Sequence, residues 1–180
     1  DIGHHTVDLM PDNTSILVHA GLDYLPRPVI QSYSAYDSYL DSINSRFLAE
    51  RGQDKIVFSH GCIDYRYCLH DETSTKLTML QHYDVTSNSG DYFVLTRRQT
   101  PLIMEKTLIK SGRMRLGERL HITGDDPLLL AVFKIDYTRQ GKIRRFLFKP
   151  SALRLTVKSP VEKKDFRAVI PILHGGVIIN

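Results

Sequence analysis

The helical period that governs the first hundred residues stops at Pro101, and that change limits the fold more than any other feature of the sequence. Before it, short apolar runs alternate with segments of helical spacing, the pattern of an α/β unit. Beyond it, brief alternating runs are separated by turn signals at Ser111-Gly112, Gly124-Asp125-Asp126-Pro127, Gln140-Gly141, Ser159-Pro160 and Gly175-Gly176. Regular short strands between such turns point to a sandwich. The expectation is an α+β protein, with an N-terminal α/β unit over residues 1–100 followed by a C-terminal β-sandwich-like unit over 101–180.

Within the first unit, residues through Asn13 read as a polar lead-in, and Ser15–Ala20 as a buried strand ended by Gly21. Pro26-Arg27-Pro28 forces extended backbone. From Tyr36 onward, Tyr36, Tyr39, Leu40, Ile43, Phe47 and Leu48 recur at helical spacing, with Ser34 as the expected N-cap and Gly52 as the stop. Lys55–Ser59 reads as a strand and Thr73–His82 as a helix turning Leu77 and Leu80 inward. Tyr83–Arg98 reads as a hairpin about Asn88-Ser89-Gly90. In the second unit, Leu128–Tyr137, Leu153–Val157, Phe166–Ile170 and Val177–Ile179 are the expected strands.

A chain that is 42% apolar and 24% charged is a folded protein and not a disordered tail. No run approaches the roughly 20 apolar residues of a membrane helix, and Asp1 starts no signal peptide, so any leader or anchor is expected outside this sequence. Charge divides the chain as the hydrophobic period does. Residues 1–100 carry 8 Lys/Arg against 13 Asp/Glu, and residues 101–180 carry 16 against 7. A basic half can meet nucleic acid, an anionic membrane or an acidic partner. No zinc-finger, RNA-binding or helix-turn-helix pattern accompanies it, so nucleic acid is not an expected partner.

The stretch Arg27–Tyr39 concentrates polar and aromatic chemistry ahead of a helix N-terminus, where free backbone N–H groups favour anionic or hydroxyl-rich ligands. As a ligand-binding edge it offers Arg27 for acidic groups, Gln31 and Ser32 for hydroxyls, and Tyr33 or Tyr36 for stacking on a sugar. As scaffold, it places Tyr36 and Tyr39 in the core, pairs Arg27 with an internal carboxylate such as Asp64, and uses the serines as caps. Nearby, His60, Cys62, Cys68 and His70 allow three readings: a zinc site, a Cys62–Cys68 disulfide or two free thiols. Asp64, Asp71 and Glu72 are close enough in sequence for a carboxylate hydrolase, or are helix caps and solvated surface. No Gly-x-Ser-x-Gly elbow is present to anchor a serine nucleophile, and no cofactor is implied. Lys142-Ile143-Arg144-Arg145-Phe146-Leu147-Phe148-Lys149 either lies on an anionic bilayer, with Phe146 and Phe148 dipping in, or is a core element whose Lys142, Arg144 and Arg145 reach outward.

Several pieces carry a resemblance in order along the chain: Tyr24 to Tyr36, then Leu40 and Asn44, Lys55 to Phe58, Ile63 to Arg66, Leu77 to Tyr83 and Phe93 to Arg98. Arg115 to Glu118, Gly141 to Pro150 and Gly176 to Ile179 continue it. Together they resemble the soluble C-terminal region of a family of large bacterial polytopic membrane proteins, similar in architecture to membrane glycosyltransferases and of undescribed function. The resemblance implies an extracytoplasmic, periplasmic-side domain attached to the inner membrane through preceding spans, with the membrane portion of its own chain as partner. Asp64 and Arg66 join the candidate ligand-binding residues, and the resemblance assigns no catalytic one. Cys62 and Cys68 stand outside the resemblance. The functional expectation is a non-catalytic binding or interaction domain that recognises a glycan, a lipid-linked saccharide or an anionic lipid surface. The alternatives are the soluble part of a glycan-processing enzyme and a purely structural packing domain.

Overall fold

The computed structural model describes residues 2–122, 128–148, 152–158 and 163–179. The turns expected at Gly124–Pro127 and Ser159-Pro160, and Lys149, lie outside them. The chain is mixed α/β. Its central sheet has the order β1-β2-β4-β3, formed by β1 (Val7–Met10), β2 (Lys55–Ser59), β3 (Tyr83–Ser89) and β4 (Tyr92–Arg97). β1 and β2 run parallel, with Val7 opposite Lys55 and Met10 opposite Phe58. β4 is antiparallel to β2, and β3 and β4 form the expected hairpin. A register shift between Val85 and Ser87 interrupts the outer edge at β3, which blunts it as a template for further strands.

Two of the N-terminal expectations are corrected. The supposed lead-in contains β1, all of whose residues are buried. Ser15–His19 is a helix, α1, and not a strand. A contiguous apolar run this short carries no period that separates the two states. Asp8 in the middle of β1 hid the true strand, because an acid amid apolar residues reads as solvent-facing. Alternation places Val7 and Leu9 on one face with Leu17 of α1, while Met10 turns to the other face.

That second face is covered by α2 (Ser38–Arg51) and α3 (Thr73–His82), both foreseen from their spacing. Met10, Leu48, Ile56, Phe58, Met79, Tyr83 and Leu95 form the core between them and the sheet. The N-cap of α2 is Asp37, whose carboxylate accepts from Leu40 N at 2.9 Å; Ser34 sits instead in a 3₁₀ turn, Ser32–Ser34. Tyr36 and Tyr39 are exposed, and the buried face of α2 is Asp41, Asn44 and Leu48. Leu80 is likewise exposed and Leu77 half-buried, the inward residues of α3 being Thr73, Thr75, Lys76, Thr78 and Met79. Gly52 does end α2, with φ −60° and ψ 157°, values open to any residue. Its glycine is needed for space. Arg97 of β4 reaches the helix end to donate to the carbonyls of Leu48 and Ala49, each at 2.7 Å. A Cβ on Gly52 would run into that guanidinium and into the Tyr83 hydroxyl.

The sandwich expected over 101–180 is not confirmed. The described residues there form two two-stranded ladders: β5 (Leu130–Ala131) with β8 (Val177–Ile178), and β6 (Leu153–Lys158) with β7 (Lys163–Ala168). Two helices accompany them, α4 (Arg139–Leu147) and α5 (Ile170–Gly175). The strand expected over Leu128–Tyr137 pairs only at Leu130–Ala131, although exposure alternates from Ala131 to Tyr137 and turns Phe133 and Ile135 inward. Residues 101–122 contain neither helix nor strand. A third apolar cluster joins Ala168, Leu173 and Val177 to Tyr67 of the loop after β2. Among the described residues, no helix is long and apolar enough to cross a membrane.

Candidate functional site

Arg27, like Ser32, is one of the buried residues among the expected ligand-binding ones. The prolines that flank Arg27 restrict its backbone, and the residue is 1% exposed. Nη1 donates to Asp8 Oδ2 at 2.6 Å and to Leu9 O at 3.1 Å. Nη2 donates to Pro11 O at 3.1 Å and Ser32 Oγ at 3.3 Å, and Nε lies 3.5 Å from Glu72 Oε1. The internal carboxylates are therefore Asp8 and Glu72. Asp64 is exposed, its backbone left-handed at φ 55°, and it faces Arg167 at 3.4 Å.

Burial raises the Asp8 carboxyl above the ordinary range, and the Arg27 guanidinium only partly offsets it. Burial likewise opposes the charge on Arg27, but Glu72 and Asp8 outweigh it and hold the group firmly protonated. Asn44 of α2 completes the group. Its Oδ1 accepts from Val29 N at 2.8 Å, and its Nδ2 donates to Val29 O at 2.9 Å and to Glu72 Oε1. One amide thus supplies both backbone groups of Val29, which lies in a bend outside any ladder, with partners.

Glu72 has a left-handed backbone, φ 53°, and does not cap α3 with its side chain. The cap comes from α2: Asp41 accepts from Ser74 N at 2.7 Å, Thr75 N at 2.9 Å and Thr75 Oγ1 at 2.7 Å. Asp71, expected as a cap, pairs instead with Arg66 at 3.0 Å. Lys76 is buried beneath them. Its ammonium donates to Cys68 O at 2.8 Å and to Asp71 O, and burial lowers its pKa. His70 is fully buried, and neither ring nitrogen bonds to a protein group. Burial, reinforced by Arg66 and Lys76, pushes its pKa down to about 4.

A shallow depression of about 250 Å³, including open solvent, lies over this group, with Ser32, Tyr33, Cys62, Cys68, Asp71 and Lys76 in its wall. Of the seven expected binding residues, the structure brings Ser32 and Tyr33 here. Arg66 stands beside them through Tyr33 O at 3.5 Å. Gln31 is exposed, its Oε1 accepting from the Tyr33 hydroxyl at 2.5 Å, and Tyr36 is exposed too. Cys62 and Cys68 are free thiols. Burial raises the Cys62 thiol above its ordinary value, so it is protonated at neutral pH and a weak nucleophile. Cys68 Sγ lies 4.0 Å from His60 Nδ1, but His60, Cys62, Cys68 and His70 do not assemble a zinc site. Among the described residues no group of three or more His, Cys, Asp or Glu side chains is placed to hold a metal ion. The three candidate carboxylates diverge as well: Asp64 to Arg167, Asp71 to Arg66 and Glu72 into the Arg27 group.

Sequence reasoning missed Asp8, Asn44, Glu72 and Lys76 as partners of Arg27 and its surroundings. The available signal was polarity out of place, in an acid inside an apolar strand and an amide on the apolar arc of a helix. No family model, no curated protein and no solved structure matches this chain.

Two outcomes follow from this chemistry. Arg27→Met leaves two carboxylates buried without their cation and is expected to cost about 3–5 kcal/mol, measured by urea unfolding. Replacing Asp8, Arg27 and Glu72 together with apolar residues of similar volume should recover most of that loss. An unrecovered triple variant would mean that the group does more than neutralise itself. His70 is neutral in the fold down to about pH 4, whereas the unfolded chain protonates it near pH 6.5. The unfolded state then binds the extra proton, so acidification from 6.5 to 4 should remove about 3 kcal/mol of stability. His70→Leu should abolish that part of the slope, and an unchanged slope would assign it to other groups.

Proposed function

We propose that this chain is a non-catalytic binding or interaction domain of an extracytoplasmic, membrane-attached protein, seated against the membrane portion of its own longer chain. The observation that carries this reading is the segment 101–122. It has no helix or strand, all but Met104 are exposed, and it displays Leu102, Ile103, Leu108, Ile109, Leu116 and Leu120 to solvent, with Ile103 92% and Leu116 87% exposed. A loop of this length is uncommon in a compact domain unless it has work to do, and contiguous exposed apolar side chains mark interaction surfaces. The groups with chemical potential, by contrast, are occupied internally. Arg27, Glu72, Lys76 and Asp41 each satisfy another part of the fold. The divergence of the three carboxylates weighs against a hydrolase, which needs two of them across one cleft.

Amide hydrogen exchange compared between the isolated chain and the longer membrane protein tests this. Residues 101–122 should exchange freely in the first and be protected in the second. Equal exchange in both would overturn the reading.

A saccharide reading is favoured by a narrower observation, the exposed rings of Tyr36 and Tyr39 a few positions along the chain from the bonded pair Gln31 and Tyr33. It loses Arg27 and Ser32, which are buried. Calorimetric titration with cell-envelope saccharides should then give heat that Tyr36→Ala removes. Absence of heat with every saccharide would end it.

A further inference from the structure

We propose that α4 is an interfacial anchor that lies flat on an anionic lipid surface, with Ile143, Phe146 and Leu147 entering the headgroup boundary. The proposal rests on the reading of the chain as a membrane-side interaction domain and names the partner of a second surface. The helix is properly begun: Thr138 Oγ1 accepts from Gly141 N at 3.1 Å, and Phe148 N closes the other end on Arg144 O at 2.8 Å. Successive residues advance by about 100° around a helix, so Ile143, Phe146 and Leu147 at i, i+3 and i+4 share one arc. In a packed domain such an arc faces the core. Here it faces solvent. No residue of α4 is buried, Phe146 is 89% exposed, and Phe148 just past the helix end is exposed as well.

The charges decide the occupant. Arg139, Lys142, Arg144 and Arg145 carry four positive charges within α4, and the helix contains no acidic residue. Lys142 borders the apolar arc on one side and Arg144 on the other, while Arg145 lies on the far face of the helix. Arg139 falls within the arc one turn back. A bilayer of anionic lipids matches this arrangement, because apolar groups sink below the phosphates while flanking cations stay level with them. A protein groove would bury the cations beside the arc and would need a carboxylate for each. The Arg145 guanidinium lies 5.2 Å above the Tyr137 ring, which braces the basic side from the residue before the cap.

Co-sedimentation of the chain with lipid vesicles tests the proposal. It should pellet with vesicles containing phosphatidylglycerol and stay in solution with phosphatidylcholine alone. Because these side chains contact no core, the variants should keep the wild-type thermal unfolding, so lost binding is not lost folding. Arg144→Gln with Arg145→Gln should weaken anionic binding about thirtyfold, and Phe146→Ser at least about tenfold. No pelleting with anionic vesicles at low salt would overturn the proposal. Pelleting that survives Phe146→Ser unchanged would overturn insertion, leaving only charge adhesion. Binding of poly-glutamate with the same sensitivity, and none of vesicles, would assign the surface to an acidic protein. Protection of residues 101–122 in the longer protein would leave the broader reading standing in any of these failures.

Discussion

The buried pair of Asp8 and Arg27, with Glu72 behind it, holds three elements in fixed relation. Asp8 belongs to the first strand, Arg27 to the extended segment between prolines, and Glu72 to the start of α3. A guanidinium removed from water must find acceptors for its donors, and here Asp8, the carbonyls of Leu9 and Pro11 and the Ser32 hydroxyl supply them, while Glu72 adds an opposite charge from the start of α3. The apolar core would accept several alternative packings of α2 and α3 over the sheet. A fork with fixed geometry accepts far fewer. The group thus ties the sheet to its helical layer at a defined point, and Asn44 and Ser32 are placed by the same requirement.

Much of the first half was legible because its elements are long and periodic. α2, α3, β2 and the β3–β4 hairpin follow directly from spacing. What escaped was whatever depends on a partner distant in sequence. Asp8 broke the apolar signal of β1 because the cation that neutralises it lies nineteen residues away. The buried face of α2 is rotated from the expected apolar arc toward Asp41 and Asn44, since α3 and Val29 need their oxygens and amide. With the helix so turned, Tyr36 and Tyr39 fall outside. Arg27, the first member of the stretch Arg27–Tyr39, is the internal strut of the scaffold reading, with Asp8 and Glu72 as its carboxylates in place of Asp64.

The second half was legible in its hairpin and closing strand and misleading elsewhere. β6 and β7 alternate as strands should, and Val177–Ile178 pairs as expected. Between Ala131 and Tyr137 the alternation of side chains is real, yet most of the backbone lies outside any ladder, since inward residues can pack on a loop without a neighbouring strand. Within residues 101–122 the turn signal Ser111-Gly112 reads as punctuation between strands. Turn residues also suit an exposed segment with no ladder at all, and local composition does not separate the two.

The threonine that opens α3 donates to the carbonyl of Gly176 at 2.8 Å, across 103 positions of sequence. That bond has a consequence for the order in which the molecule can be completed during synthesis. The central sheet can form once residue 97 has emerged, since all its strands are then available. The start of α3 lacks this partner at that stage, because the backbone that supplies it has yet to be made. A nascent chain therefore carries the buried end of α3 with the Thr73–Gly176 bond unmade for the whole time that the basic half is being translated.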